Sequence, residues 1–273
     1  MKLVALFLCL ASTAAEAQLL SAKGSAVAMG HHHLYVSDVE ASKHFWTLLG
    51  AVPVAFPDRE VMKLPDLVIF FTPEKPAGGT KGTTVNHIGV QMPDVASVVE
   101  KLRASGVPIV TREEVEGATK DVHYLENQDT HIAFVMAPDG TKVELFENKK
   151  LSHSIANHHI HFAAPDVDAM KTWYVDMLGA EPGQRGGMEA AQLPGVNLTF
   201  SPAASPVTGT RGRALDHIGF EVENLKALCE KLESKGVKFD RPYTERPELG
   251  ISLAFFTDPW GTYIELTEGL DRF

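Results

Sequence analysis

The segment "HHHLYVSDVEASKHFWTLLG", residues 31–50, holds in twenty residues the unit from which the chain is built. Its first residues alternate as a strand does, Asp38 suits an N-cap, Ala41, Phe45, Leu48 and Leu49 recur at helical spacing, and Gly50 closes the helix. The same order returns in "HIGVQMPDVASVVEKLRASG" from His87, "HIHFAAPDVDAMKTWYVDMLG" from His159 and "HIGFEVENLKALCEKLESKG" from His217. Seven positions after each leading histidine stands Asp38, Asp94, Asp166 or Asn224, and the helices stop at Gly50, Gly106, Gly179 and Gly236. Four strand-to-helix units are therefore expected.

After the helices come β-rich stretches, among them "LVIFFTP", "HIAFVMAPDGTKVELFE", "VNLTFSP" and "ISLAFFTDPWGTYIELTE". Pro138-Asp139-Gly140 and Asp258-Pro259-Trp260-Gly261 carry turn chemistry, so the second and fourth units should end in hairpins. The expected fold class is α+β, with four βαβββ modules. A longer repeat overlies the short one: "GGTKGTTVNHIG" and "TGTRGRALDHIG" share Gly-Thr-(Lys/Arg)-Gly ahead of the histidine. Units one and two thus resemble units three and four, which predicts domains at 28–148 and 153–270 with "NKKLS" (148–152) as the link. The glycine loop lacks the G-x-x-x-x-G-K-[ST] spacing of a phosphate-binding loop. Lys81 or Arg211 in it is placed to stand at a cleft rim and attract a carboxylate.

Residues 1–17, "MKLVALFLCLASTAAEA", combine an early lysine, an apolar run from Leu3 to Leu10 and an Ala15-Glu16-Ala17 site. That order reads as a cleavable signal peptide and predicts a periplasmic or secreted protein. The apolar run falls short of the about 20 residues a membrane helix needs, so no membrane association is expected after cleavage. Cys9 would leave with the signal, and Cys229 shares a helical face with Leu225, Leu228 and Leu232, where packing is its role. The mature chain can form no internal disulfide and no cysteine-based zinc site. A net charge of −10 without a basic run gives no footprint for nucleic acid. The expected partner is a small molecule.

Three consecutive histidines at 31–33 invite the reading of a purification-tag remnant, but a tag would not recur at 158–161 in the same helix-capping context. Strand alternation sends His31 and His33 to one face and His32 to the other; His159 and His161 likewise share a face that His158 opposes. In the even units the closing strands add Glu144 ("GTKVELFE") and Glu265 ("GTYIELTE"), each between apolar neighbours. An inward carboxylate there is expensive unless a cation compensates it. Imidazole plus carboxylate suits Zn, Fe, Mn or Ni, and two His with one carboxylate leave open positions. Taken within each half of the chain, the metal sets are His31, His87, Glu144 and His159, His217, Glu265. His33 and His161, two residues beyond a ligand on the same face, are candidates for proton transfer or for supporting a ligand. Gly89 and Gly219 occupy the matching even-unit positions and are expected to leave room opposite them.

With these residues in place, the chain resembles the vicinal oxygen chelate superfamily, which includes glyoxalase I, extradiol dioxygenases and bleomycin- or fosfomycin-resistance proteins. The likeness covers about residues 28–269, through the repeated H-x6-D and the terminal G-x-x-x-E-L. It implies paired βαβββ modules that curve into a cleft, a divalent metal on the first-strand His and last-strand Glu positions, and homodimers formed through module edges. Bacterial glyoxalase I, which is similar, carries a second Glu where this chain has Phe70 or Thr199. Extradiol dioxygenases carry a Tyr and an acid-base His that "ISLAFF" does not offer; Tyr243, His123 and His131 are the available substitutes. The function expected is an exported metal-dependent enzyme acting on a small vicinally oxygenated substrate, as a ring-cleaving dioxygenase or a lyase/isomerase. The alternative is a non-catalytic binding or resistance-type protein. Phe45, Trp46, Trp173 and Tyr174 sit at helical spacing and are expected in the core.

Overall fold

The computed structural model describes residues 26–273. The signal-like segment 1–17, Cys9 included, lies outside the described residues. Four modules follow one another. The first has β1 (Val27–Tyr35), α1 (Val39–Leu49), β2 (Val52–Phe56), β3 (Arg59–Leu64) and β4 (Leu67–Thr72). The second has β5 (Val85–Met92), α2 (Val95–Ala104), the single turn α3 (Thr111–Glu114), β6 (His123–Leu125), β7 (Thr130–Met136) and β8 (Lys142–Glu147). In the third come β9 (Ala156–Ala164), α4 (Val167–Leu178), β10 (Glu181–Arg185), β11 (Met188–Leu193) and β12 (Val196–Pro202). The last comprises β13 (Leu215–Val222), α5 (Leu225–Ser234), β14 (Phe239–Arg246), β15 (Ile251–Thr257) and β16 (Tyr263–Glu268).

The caps are those read from the sequence. Asp38, Asp94, Asp166 and Asn224 each accept a hydrogen bond from the amide three residues on, at 3.0 Å in every case. This satisfies a donor that the first helical turn leaves free. Gly50 and Gly179 end α1 and α4 in the left-handed region, which a side chain resists. Phe45, Trp46 and Tyr174 are buried in a hydrophobic core that draws on every module, and Trp173 packs against it. Cys229 is buried and free.

Sheet formation does not follow the halves of the sequence. One eight-stranded mixed sheet runs β14-β15-β16-β13-β1-β4-β3-β2 and joins the first module to the fourth. The other runs β10-β11-β12-β9-β5-β8-β7-β6 and joins the second to the third. At the centre of each, two first strands pair antiparallel, β1 with β13 and β5 with β9. Residues 148–152 therefore connect two modules of one sheet, while both Gly-Thr-(Lys/Arg)-Gly loops cross between sheets. The two crossovers run side by side: Thr84 N donates to Thr208 O, Thr208 N to Gly82 O and Ala214 N to Gly78 O. Gly79 and Gly209 press against the turn glycines Gly140 and Gly261, where an added Cβ would lie 2.3 and 2.6 Å from a carbonyl oxygen. No side chain fits there, which is a physical reason for the glycines in both loops. Among the described residues no helix is long and apolar enough to cross a membrane.

Candidate metal centres

Because β1 is zipped to β13 and β5 to β9, the predicted donors converge, but in exchanged sets. The structure brings His31 together with His217 and Glu265, and His159 together with His87 and Glu144. The sequence pairing of His31 with His87 and Glu144, and of His159 with His217 and Glu265, is corrected. The four modules are alike enough that the motif fits either pairing; strand partnership alone selects one.

In the first centre, one Glu265 oxygen lies 2.8 Å from His31 Nε2 and 3.0 Å from His217 Nε2. All three residues are buried. Asp216 accepts from His217 Nδ1 at 2.7 Å, which places the ring proton on that nitrogen. In the neutral ring the Nε2 lone pair then faces an anionic oxygen, a repulsive arrangement that a cation among the three atoms relieves. The Glu265 carboxyl is held far below the ordinary range against the cost of burial, by the adjacent His31 and His217. Against the burial that lowers its pKa, Asp216 and Glu265 raise that of His217. The donor set fits a divalent ion: two borderline nitrogens and one carboxylate, three converging atoms within 4.8 Å of one another.

The second centre repeats this. Glu144 lies 3.0 Å from Nε2 of both His87 and His159, and those two nitrogens face each other at 3.2 Å. Here Asn86 Oδ1 takes the place of Asp216, accepting from His87 Nδ1 at 2.9 Å. His161 brings a further ring nitrogen within 4.8 Å of the other two histidines.

The glycines leave the room expected opposite them, and the donor rings fill it. Gly219 pairs with His31 and Gly89 with His159. A Cβ on either would sit 2.0 or 2.1 Å from a ring atom of that histidine. They make room for the donors themselves. His33 and His161 instead lie across from His217 and His87, with ring centroids 4.5 and 4.6 Å apart. His33 Nε2 meets the Thr72 hydroxyl at 2.8 Å and His161 Nε2 the Ser201 hydroxyl at 2.8 Å. Burial, reinforced by His217, pushes the His33 pKa down to about 2, so the ring is neutral. His32 is fully buried with neither nitrogen partnered, and burial pushes its pKa down to about 3.

His158 departs from simple alternation. The β5–β9 register slips between Gly89/His159 and Val90/Asn157, leaving His158 as the extra residue of a bulge. Its Nδ1 lies 2.8 Å from His159 Nδ1 and its ring stacks on Phe146 at 4.2 Å. It therefore joins the second centre, whereas alternation had placed it on the opposite face.

The surroundings of the two centres differ. His31, His33, His217 and Glu265 open on a cleft of about 230 Å³ walled by Phe56, Phe70 and Phe255 among others. At the second centre Arg185, from the β10–β11 hairpin, bonds Thr199 Oγ1 at 3.0 Å, lies 3.5 Å from His158 Nδ1 and covers the Phe146 ring at 5.9 Å. Burial lowers its pKa and the charge of Glu144 raises it, so the guanidinium and that carboxylate act on each other through space. Sequence reading missed Arg185; its position on a hairpin tip carried no motif. Phe70, where a second Glu was sought, packs edge-on against His31 at 5.2 Å. Of the proposed substitutes, Tyr243 bonds Glu245 and Ser252, His131 bonds Glu147, and His123, on β6, pairs with Ile132 of β7. The structure brings none of the three to the donors. Arg211 does stand at the cleft rim, over the Tyr263 ring at 4.4 Å, while Lys81 lies by Glu114.

Known proteins share parts of this sequence and its fold. The family described as Glyoxalase/Bleomycin resistance protein/Dioxygenase superfamily matches residues 28–145 and 156–266. The chain belongs to that superfamily. A lactoylglutathione lyase of Haemophilus influenzae is 33% identical over 76 residues, 28% of this chain and 50% of that protein. One from Shigella flexneri is 38% identical over 78 residues, again 28% and 50%. The chain thus spans about half the length of these curated superfamily relatives. The crystal structure of glyoxalase I from Zea mays aligns with a TM-score of 0.69 at 18% identity, over 90% of this chain and 94% of that one, a likeness of fold. Both candidate donor sets lie within one chain.

Proposed function

We propose that the chain is an exported, metal-dependent enzyme of the glyoxalase/dioxygenase type, with its working site at His31, His217 and Glu265. The observation that carries this reading is the Glu265 oxygen held 2.8 and 3.0 Å from two buried imidazoles at the edge of an open cleft. A divalent cation on these three donors supplies Lewis acidity toward two adjacent oxygens of a small substrate. Asp216 fixes the His217 ring so that Nε2 is the donor. His33, neutral and bonded to Thr72, lines the cleft and presents an unprotonated imidazole as the candidate for proton transfer; the burial that disfavours its charged form makes it a weak base until negative charge on a bound substrate offsets that cost. Phe70 and Phe255 dry the pocket and strengthen every polar contact inside it.

Three protein donors with Phe70 beside them favour chemistry that needs vacant positions, such as ring cleavage of a diol. Lactoylglutathione lyase activity, for which the relatives described above are named, is the second reading; the partial match supports it and the apolar Phe70 weighs against it. The deciding experiment measures metal retained after dialysis, then oxygen uptake with catechols and isomerisation of aldehyde–thiol adducts. Turnover with metal retained supports the proposal. Retained metal without turnover favours a binding protein, and loss of all metal removes the reading. Export rests on residues 1–17 and predicts a mature protein beginning at Gln18, which mass spectrometry of the periplasmic or secreted protein reads directly.

A further inference from the structure

The cleft beside Glu265 has a second lobe of about 240 Å³, lined by Tyr35, Thr72, Arg211 and Tyr263. The two lobes share His33, His217, Arg241 and Phe255. One is largely apolar and the other about evenly polar and apolar, with an arginine where they meet.

The guanidinium groups around this cleft are not equivalent. Arg59 is paired with Asp58 at 2.7 Å, Arg246 with Glu248 at 2.5 Å, and Arg211 with Asp240 at 3.5 Å. The cleft acids are also engaged, Asp58 by Arg59, Asp216 by His217, and Glu265 by His31 and His217. Arg241 alone among the cleft arginines has no ion pair or side-chain hydrogen bond among the described residues. It sits on β14 between two register shifts, opposite Phe255, whose ring meets His217 edge-on at 5.3 Å. Bulges of this kind re-aim a side chain. Arg241 is exposed where the lobes meet, and in a chain of net charge −10 an unpaired cation at the mouth of an aromatic cleft is free to take a bound anion.

We propose that this cleft selects an apolar-bodied monocarboxylate, its anionic group bound by Arg241 and its body packed against Phe56, Phe70 and Leu253. The assignment deepens the reading of this cleft as the working site and rests on it. The planar fork of arginine suits a carboxylate, and the apolar wall suits an aromatic ring. Among the described residues the second module offers no counterpart of Arg241, because β6 has three residues against the eight of β14; the arginine at that centre, Arg185, is bonded to Thr199.

The test is calorimetric titration with phenylacetate and its neutral isostere phenylacetamide, on metal-loaded and chelator-dialysed protein and on Arg241→Gln, with metal content read on every sample. Wild type is expected to prefer the acid by about tenfold (about 1.4 kcal/mol), with or without metal. Arg241→Gln should reduce that preference to about twofold or less. Equal affinity for acid and amide in wild type overturns the proposal, as does a preference that survives in Arg241→Gln. A preference lost on dialysis also overturns it, since the carboxylate would then depend on the metal donors. Metal content tests the metal-centre reading separately, so the two can fail independently.

Discussion

The two centres match residue for residue: His31 with His159, His217 with His87, Glu265 with Glu144, His33 with His161. Around this common set almost everything else differs. Asp216 supports one donor ring and Asn86 the other. Phe70 and an open cleft border the first centre, while Thr199, Arg185 and His158 crowd the second. The contrast teaches that the repeated motif dictates where donors stand, whereas the segments packed around them, with Phe70 and Phe255 at one centre and Arg185 and His158 at the other, set what borders them. A guanidinium near Glu144 also supplies part of the positive charge that Glu265 lacks, so the two centres should hold a cation with unequal strength.

The largest expected effect separates the two carboxylates. Glu265→Ala should lower turnover by about 10³-fold, the scale of losing a principal electrostatic element, while Glu144→Ala should leave it within about threefold. Each substitution should halve the metal stoichiometry measured by elemental analysis. Equal losses of turnover would erase the distinction between the centres.

A smaller effect is expected from the paired second histidines. His33→Asn should reduce kcat by about 10²-fold, as removal of a proton-transfer group does, whereas His161→Asn should change it less than twofold. Steady-state kinetics on both variants, with KM recorded, decides whether His33 acts on the substrate or only supports a ring.

The role of Arg185 can be read without turnover. In a chelator titration the second centre should release its metal first, because a fixed positive charge opposes the ion. Arg185→Ala should tighten that centre by about tenfold, the scale of one nearby charge at intermediate dielectric, and leave the first unchanged. A single release step in wild type would show that the guanidinium does not matter.

The smallest effect concerns Glu221 and its counterpart four residues beyond the other even-module histidine, Gln91. Glu221 is 2% exposed and accepts from Thr267 Oγ1, Gly269 N and Leu270 N. Burial pushes its pKa up to about 7. The folded state thus holds the proton more tightly than the unfolded chain, so the contribution to stability is full below about pH 4.5 and is lost as pH rises through 7. Stability should fall by about 2 kcal/mol between pH 5 and pH 8 on this account. Glu221→Gln, which copies the other sheet, should flatten the profile of Tm against pH over that window; an unchanged slope would locate the dependence elsewhere.

Much of the molecule was legible in the chain itself. Asp38, Asp94, Asp166 and Asn224 announced the helix starts, because a capping side chain acts on amides three residues away and needs no distant partner. The histidines and the two glutamates were legible as donors for a related reason: repetition at fixed spacing assigns each to the same face of the same strand. Local rules and internal repetition therefore determined the four modules and the identity of six candidate donors. The partnership of those donors was decided only by the tertiary structure, since β1 can pair with either even-module strand as far as its own residues show. The glycine crossovers and the β1–β13 and β5–β9 ladders select the exchanged sets through contacts between residues far apart in the sequence. The bulge that turns His158, the reach of Arg185 and the solitude of Arg241 belong to the same class. Each depends on what another segment places beside it, and alternation along one strand carries no information about that.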